Sequence, residues 1–339
     1  MESGVVTNKI NFQKVLKYIF SLLLLCSNLL FTETSNQNKT WYGDPDLQGV
    51  WTNATLTTLE RPRHFKTLEV NEEEARNAAN KAAAESLAYD NEYLDGETPK
   101  VGRDVGGYNT AWMDSGAELF QLFGKYRTSI IAYPKNGKLP WDRDKASKFF
   151  QQRRKDRSKR RDHPELRGVG ERCVVGFGSS GGPPMMNVLY NNHYQIVQSP
   201  GYVMIMAEMV HDARIIRLYG KHPPENITPW LGDSIGHWDG NTLVVETTNF
   251  NPQHTFRAGL RHFFAITSEA IVTERFTRIS KDQILYRFYV DDPDIYSQVW
   301  AGEMPLRATD EKIYEYACHE GNYSMANILA GAREEEKRR

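Results

Sequence analysis

The second half of the sequence predicts a mainly β fold, an antiparallel barrel or strongly curved sheet, preceded by an N-terminal helical extension. Short segments of alternating polarity, separated by turn residues, are typical of antiparallel strands. Their connections are short, and so many consecutive strands favour a barrel over a parallel α/β sheet. The predicted strands are residues 194–198, 202–209, 213–218, 270–279, 284–290 and 312–317, with a hairpin over 237–250.

The turn of that hairpin is Asp239-Gly240, because the second turn residue must tolerate positive φ. Before the barrel, residues 44–51 are a turn-rich lead into a strand, and residues 127–132 predict another.

Three helices are predicted. Asn71 and Glu74 form a capping-box pattern before an Ala-rich helix that reaches Ala88. A basic helix begins at Asp144 and ends before Pro164, and residues 322–332 form a short helix. The Gly-, Asp- and Pro-rich stretch 90–107 is predicted to be a loop.

The first residues predict export. Lys9, Lys14 and Lys17 precede an apolar run, residues 18–31, in the order of a secretory signal. The run is shorter than the ~20 residues that a membrane-spanning helix needs, so we expect cleavage, a periplasmic or extracellular location and no stable membrane span afterwards. Cys26 leaves lipidation open as an alternative, although Leu25 stands where a small residue should precede it.

The predicted organisation has four parts. Residues 1–36 are the signal peptide, and 37–170 are an N-terminal strand and helical extension packed on the barrel. Residues 171–333 are the antiparallel β domain with its C-terminal helix, and 334–339 are a charged tail.

The net charge of −1 gives no global bias towards nucleic acid, and none is predicted as a partner. The basic stretch 142–161 is typical of a solvated helix face. The oligomeric state stays open.

Without the signal, the cysteines are Cys173 and Cys318, in a chain bound for an oxidising compartment. We expect a disulfide between them, and two buried free thiols are the alternative.

Because side chains alternate between the two faces of a strand, the sequence predicts which polar groups face inward. It places Glu274 among apolar side chains and Arg275 on the opposite face. A carboxylate inside a barrel requires a cationic or hydrogen-bonding partner, or a raised pKa that suits proton transfer. A purely structural ion pair is the alternative reading of Glu274.

A second candidate site surrounds the strand at 202–209. Its Met-containing face ends in Glu208, followed by His211 and Arg214, which together could line a pocket for an apolar ligand with one polar end. Core packing followed by a turn is the alternative. The remaining predicted substrate-binding residues are Tyr202, Trp238, Asn249 and Tyr316.

The segment 314–323 concentrates Cys, His, Glu, Asn and Tyr residues. Histidine as a residue type suits acid–base chemistry near neutral pH, and Glu320 or Tyr316 could orient His319, which makes His319 the first candidate acid or base. The alternative is a disulfide-anchored turn that caps the final helix.

No metal or organic cofactor is predicted. The histidines form neither His-x-His nor His-Glu-x-x-His spacing. Ser180 lies in a Gly-x-Ser-x-Gly match, but Pro183 follows and the flanks predict antiparallel strands, which argues against a hydrolase nucleophile elbow.

These segments resemble a large family of uncharacterised exported bacterial proteins. The matching residues are 45–53, 108–112, 127–129, 182–184, 194–202, 230–233, 236–250 and 314–333. The resemblance implies no activity. Gly49-Val-Trp51 also resembles the Gly-x-Trp start of lipocalin-type (calycin-like) barrels, where the Trp closes one barrel end.

Together these patterns predict an exported protein that holds a small, partly apolar molecule in a β-barrel pocket. His319 would act as acid or base with Glu274 or Glu320, and Arg214 or Arg275 would stabilise a developing anion, as in a cofactor-independent lyase, isomerase or hydrolase. The alternative is a non-catalytic ligand-binding protein or an envelope interaction protein.

Overall fold

The computed structural model of the protein describes residues 39–94 and 113–338. The predicted signal peptide, Cys26, most of the predicted loop at 90–107 and the family-like segment at 108–112 lie outside the described residues.

The described residues form fifteen strands, arranged in three sheets. In chain order they are β1 (Gly49–Thr52), β2 (Glu69–Val70), β3 (Gln121–Leu122), β4 (Lys125–Arg127), β5 (Ile131–Tyr133), β6 (His193–Ser199), β7 (Tyr202–Ala207), β8 (Ala213–Leu218), β9 (Asp233–Asp239), β10 (Thr242–Thr248), β11 (Phe256–Ala258), β12 (Phe263–Ala265), β13 (Ile271–Ser280), β14 (Gln283–Asp291) and β15 (Trp300–Ala308).

Nine of these strands close into a barrel in the order β1-β6-β7-β8-β9-β10-β13-β14-β15, and β15 pairs back to β1 while β5 adds to it from outside. The predicted barrel is therefore confirmed at this level. It is mixed rather than wholly antiparallel, because β8 and β9 run parallel where Arg217 faces Ile235. The long connection 219–232 carries the chain back before β9 begins, as a parallel pair requires.

Aromatic side chains fill the barrel interior. Trp51, Phe276, Tyr286, Phe288 and Trp300 are all nearly or fully buried. Their ring centroids lie 4.9 to 5.6 Å apart along the series from Phe276 to Trp300, in the range of favourable aromatic pairs. The centre of the barrel is thus a packed core.

In the described part of the chain, three α-helices flank the sheets: α1 (Glu72–Leu94), α2 (Arg143–Ser158) and α3 (Tyr323–Lys337). The capping box is confirmed, since the Glu74 N–H donates to Asn71 Oδ1 at 2.9 Å and the Asn71 N–H donates to Glu74 Oε2 at 3.2 Å. α1 continues into the start of the predicted loop, and α3 takes in most of the predicted charged tail. No helix in 39–94 or 113–338 is long and apolar enough to cross a membrane.

One predicted strand is absent, one observed strand was not predicted, and the strand predicted at 127–132 is divided between the end of β4 and the start of β5. The segment predicted at 312–317 has no regular structure, because the N–H groups of Tyr314 and Tyr316 are donated to side chains instead of to a neighbouring strand. β15 escapes prediction because it contains Gly302 and Pro305, residues that ordinarily interrupt strands.

Residues 179–188, here called the plug, are all buried. The Met185 N–H donates to Tyr286 Oη at 2.9 Å, and Tyr194 Oη donates to the Ser180 carbonyl at 2.8 Å, so the plug is bonded to inward-facing tyrosines of the barrel. Glycines of the plug allow backbone to pack where side chains would collide: a Cβ on Gly182 would lie 2.7 Å from Met185 Cγ, and one on Gly181 would lie 3.0 Å from Asp212 Cβ.

Because two histidines are buried, we expect the free energy of unfolding to fall at acidic pH. Burial, reinforced by Arg257, lowers the pKa of His262 to about 4 and of His254 to about 3. The unfolded chain binds these protons near pH 6.5 and the folded chain does not, so stability falls as pH drops below 6.5. By pH 5 we expect a loss of about 2 kcal/mol per histidine, partly offset by Asp212, whose pKa burial raises to about 6.

Urea unfolding at pH 7, 6 and 5 measures this effect. His262→Gln should flatten the dependence on pH, whereas the exposed control His237→Gln should leave it unchanged. Equal slopes for both variants would contradict the assignment to His262.

Candidate functional site: a tyrosine-lined cleft

The strongest candidate site begins with a buried His–Glu pair. His193 opens β6 and Glu208 follows β7, and the register of this hairpin, in which Tyr194 faces Ala207, sets them side by side. His193 Nδ1 lies 2.8 Å from Glu208 Oε2, and the Glu208 side chain is only 3% exposed. The hairpin backbone thus fixes both members of the pair.

The segment after β15, residues 309–318 (here called the strap), completes this site. The Tyr314 N–H donates to Glu208 Oε1 at 3.1 Å, so both oxygens of the carboxylate are occupied. The Tyr316 N–H donates to His211 Nε2 at 3.3 Å. The strap is therefore held on side chains that follow β7.

The predicted disulfide is confirmed and anchors the end of the strap. Cys173 and Cys318 are bonded across 145 positions of sequence. Asn322 Nδ2 donates to the Glu171 carbonyl at 2.8 Å and reinforces this junction.

Above the His–Glu pair is a cleft of about 470 Å³. Three of its lining side chains are tyrosines, Tyr190, Tyr314 and Tyr316. The others are Asp114, Asn191, His193, Glu208 and Glu311. The rings of Tyr190 and Tyr316 stack with centroids 6.1 Å apart and form one wall. The cleft therefore joins apolar ring surface to titratable groups.

The pKa values of His193 and Glu208 are shifted in opposite directions. The hydrogen bond to Glu208 raises the pKa of His193, against the effect of burial. Burial raises the pKa of Glu208, but hydrogen bonds from His193 and from the Tyr314 N–H outweigh it, and the net shift is downward. Both shifts favour the imidazolium–carboxylate form.

Asp114 differs from Glu208, because burial raises its pKa and the negative charges of Glu311 and Glu208 raise it further, while His193 opposes them. Glu311 Oε2 lies 3.7 Å from His193 Nε2 and is largely exposed. The carboxylates at the mouth of the cleft thus repel one another.

A second cavity, of about 360 Å³, lies beside the first and shares Tyr316 with it. Phe177, Met325 and Ile328 supply its apolar lining, and Arg167 pairs with Glu171 at 2.7 Å.

The predicted inward orientation of Glu274 is confirmed, and Arg214 is its partner. Arg214 Nη1 and Nη2 donate to Glu274 Oε2 and Oε1 at 2.5 and 3.0 Å, and Tyr286 Oη donates to Oε1 at 2.7 Å. Glu274 is 0% exposed and Arg214 3%. Neither lines the two cavities, so the network lies in the packed interior.

The other predicted site residues are scattered. His319 and Glu320 are exposed on the turn before α3 and line neither cavity, and Arg275 pairs with Asp239 outside the barrel at 2.8 Å. Tyr202 is half exposed, because β7 turns Val203 and Ile205 inward instead.

Trp238 packs partly buried against the core. Asn249 Nδ2 donates to carbonyls of the 219–232 connection, including that of Ile227 at 3.1 Å, which is a structural bond. Of the predicted set, Glu208 and Tyr316 line the cleft, and His211 supports its strap.

His193, Asp114, Glu311 and Tyr190 escaped prediction. His193 could have been predicted, because a hairpin that turns at Pro200-Gly201 places position 193 opposite position 208. Asp114, Tyr190 and Glu311 are brought in by irregular segments whose course no periodicity encodes.

Within residues 39–94 and 113–338 there is no group of three or more His, Cys, Asp or Glu side chains that could hold a metal ion. Ser180 Oγ, in the Gly-x-Ser-x-Gly match, is buried in the plug and makes no hydrogen bond to another described residue. It lacks the adjacent base that a serine nucleophile needs.

Comparison with protein-family models, curated proteins and solved structures finds no significant match for this chain. The resemblance to calycins is supported only at the level of a closed β-barrel, and the resemblance to a family of exported proteins stays a prediction.

Proposed function

We propose that this is an exported protein that holds a small, partly apolar molecule in the tyrosine-lined cleft and exchanges protons with it through His193. The observation that carries the proposal is the buried His193–Glu208 pair, bonded at 2.8 Å beneath a cleft of about 470 Å³. Concave sites with apolar walls and few polar groups are the usual form of small-molecule sites. The location proposed for the ligand is the cleft, because aromatic side chains occupy the barrel interior.

In this proposal Glu208 orients the imidazole through Nδ1, which leaves Nε2 as the atom that accepts or donates a proton. Such an arrangement of a histidine and a carboxylate holds one tautomer and supports general acid–base catalysis. His193 takes the role that the sequence suggested for His319, and Tyr316 contacts the ligand. The reaction class is that of a cofactor-independent lyase, isomerase or hydrolase.

Export is supported by the basic-then-apolar order of residues 9–31 and by the Cys173–Cys318 disulfide, which persists in oxidising compartments.

A non-catalytic ligand-binding protein is the second candidate. Of the described residues that line the cleft, none is Lys or Arg, so a developing anion would meet no fixed cation beyond His193. That observation favours binding without turnover.

A fragment screen by ligand-observed NMR in D₂O separates these readings. We expect fragments to bind wild-type protein, to lose binding with Tyr316→Ala, and to keep it with Tyr202→Ala, which changes an exposed tyrosine outside the cleft. Catalysis predicts deuterium exchange at carbon-bound protons of the bound fragments, which His193→Gln abolishes while binding persists.

If exchange is equally slow with wild-type protein and His193→Gln, the acid–base role fails and the binding role stands. If Tyr316→Ala binds every fragment as wild type does, the cleft is not the ligand site.

A further inference from the structure

We infer that the ligand is an amphiphilic organic cation, whose ammonium group sits among the carboxylates of the cleft and whose apolar part passes Tyr316 into the second cavity. This inference rests on the proposed function of the cleft and specifies the chemistry of what binds there.

The lining of the cleft has the chemistry of a cation site. Three carboxylates, Asp114, Glu208 and Glu311, share it with three tyrosine rings, and the basic member His193 is already bonded to Glu208. Aromatic faces attract ammonium groups, most strongly where water is partly excluded. An anionic ligand would meet three carboxylates and, among the described lining residues, no Lys or Arg.

The charge of Arg307 compensates Asp114 only in part. Burial and the charges of Glu311 and Glu208 raise the pKa of Asp114 by more than His193 and Arg307 lower it, so the net shift is upward, and Arg307 is not part of the cleft lining. Mutual repulsion among Asp114, Glu311 and Glu208 therefore persists in the free protein. A bound ammonium group would relieve it, which gives the free energy of binding a charge-dependent component.

The second cavity supplies the apolar half. Phe177 and Ile328 remain 41% and 37% exposed, which leaves their surface available to a ligand, and Met325 lies beside them. The charges of Arg167 and Glu171 cancel in their salt bridge. Since Tyr316 lines both cavities, a chain attached to the ammonium group can cross its ring from one to the other.

Isothermal titration calorimetry of the full chain with three probes tests the inference. The probes are tetramethylammonium, hexyltrimethylammonium and hexanesulfonate. We expect hexyltrimethylammonium to bind at least about tenfold more tightly than tetramethylammonium, because burying even two methylenes gives that gain. Hexanesulfonate should not bind measurably.

Variants test which of the two cavities binds the ammonium group of the probe and which binds its hexyl chain. Asp114→Asn with Glu311→Gln should weaken both ammonium probes, whereas Glu315→Gln, an exposed glutamate of the same strap outside both linings, should weaken neither. Ile328→Gln should abolish most of the advantage of the hexyl chain and leave tetramethylammonium unaffected.

Each contrary outcome has its own meaning. If hexanesulfonate binds as well as hexyltrimethylammonium and Tyr316→Ala weakens both, the cleft binds ligands but the cation inference is overturned. If the two ammonium probes bind equally, the role of the second cavity is overturned. If neither these probes nor the fragments bind in the cleft, the proposed function itself fails.

Discussion

Glu274→Gln is expected to lower the free energy of unfolding by about 3–5 kcal/mol, because it leaves the Arg214 guanidinium buried without its counter-charge. Both oxygens of Glu274 bond to Arg214, and Tyr286 adds a third bond to the carboxylate. Burial alone would lower the pKa of Arg214, but the charge of Glu274 raises it overall. Urea unfolding at neutral pH measures the loss.

Two controls distinguish a buried pair from a generic strand effect. Arg214→Met with Glu274→Leu removes both charges and should recover most of the stability that Glu274→Gln loses, since apolar replacement of a buried pair is often near neutral. Arg275 lies on the same strand as Glu274 and forms an exposed pair with Asp239. Arg275→Gln breaks that pair and should lower the free energy of unfolding by less than about 1 kcal/mol. A double variant as unstable as Glu274→Gln would contradict the explanation.

Cys173→Ala with Cys318→Ala is expected to lower the free energy of unfolding by about 5 kcal/mol in the chain-entropy model, because the bond closes a loop over 145 positions. The same change frees the end of the strap, which carries Glu311, Tyr314 and Tyr316 of the cleft. We therefore expect ligand binding to weaken even under conditions in which the barrel stays folded.

Unfolding of wild-type protein with and without reductant provides the matched comparison, and reductant should leave the alanine variant unchanged. A loss of stability below about 1 kcal/mol would show that the unfolded chain is not constrained by this bond. Unaltered binding to the folded alanine variant would show that the strap holds its place through Tyr314 and Tyr316 alone.

Much of the barrel was predictable because alternation survives wherever one face is buried. β8 was predicted with its observed ends, and the Asn71–Glu74 capping box follows from local chemistry. The hairpin turn was predicted one residue early, because Asp239 still pairs with Thr242 and the turn residues are Gly240-Asn241. The closing strand β15 was not predictable, because Gly302 and Pro305 break its pattern and because its place in the barrel depends on pairing with β1, which is distant in the sequence. Closure of the barrel depends on pairing between strands that are far apart in the sequence.

The candidate site was predictable only in pieces. Glu208 and Tyr316 were named from their segments, but periodicity cannot show that an irregular strap returns to the end of β7. His319 was favoured because histidine is a common acid or base and because this residue sits in a dense polar cluster of the sequence, but the structure places it in solvent. The polar residues that cluster around His319 in the sequence do not converge on a site in the structure.

A crystallographic fragment screen tests the cleft most directly, since it presupposes neither the charge of the ligand nor a reaction. The proposal predicts that bound fragments concentrate between the Tyr190–Tyr316 stack and His193, with polar atoms near Nε2. Fragments that bind only elsewhere on the protein, with the cleft unoccupied at millimolar soaking concentrations, would contradict it.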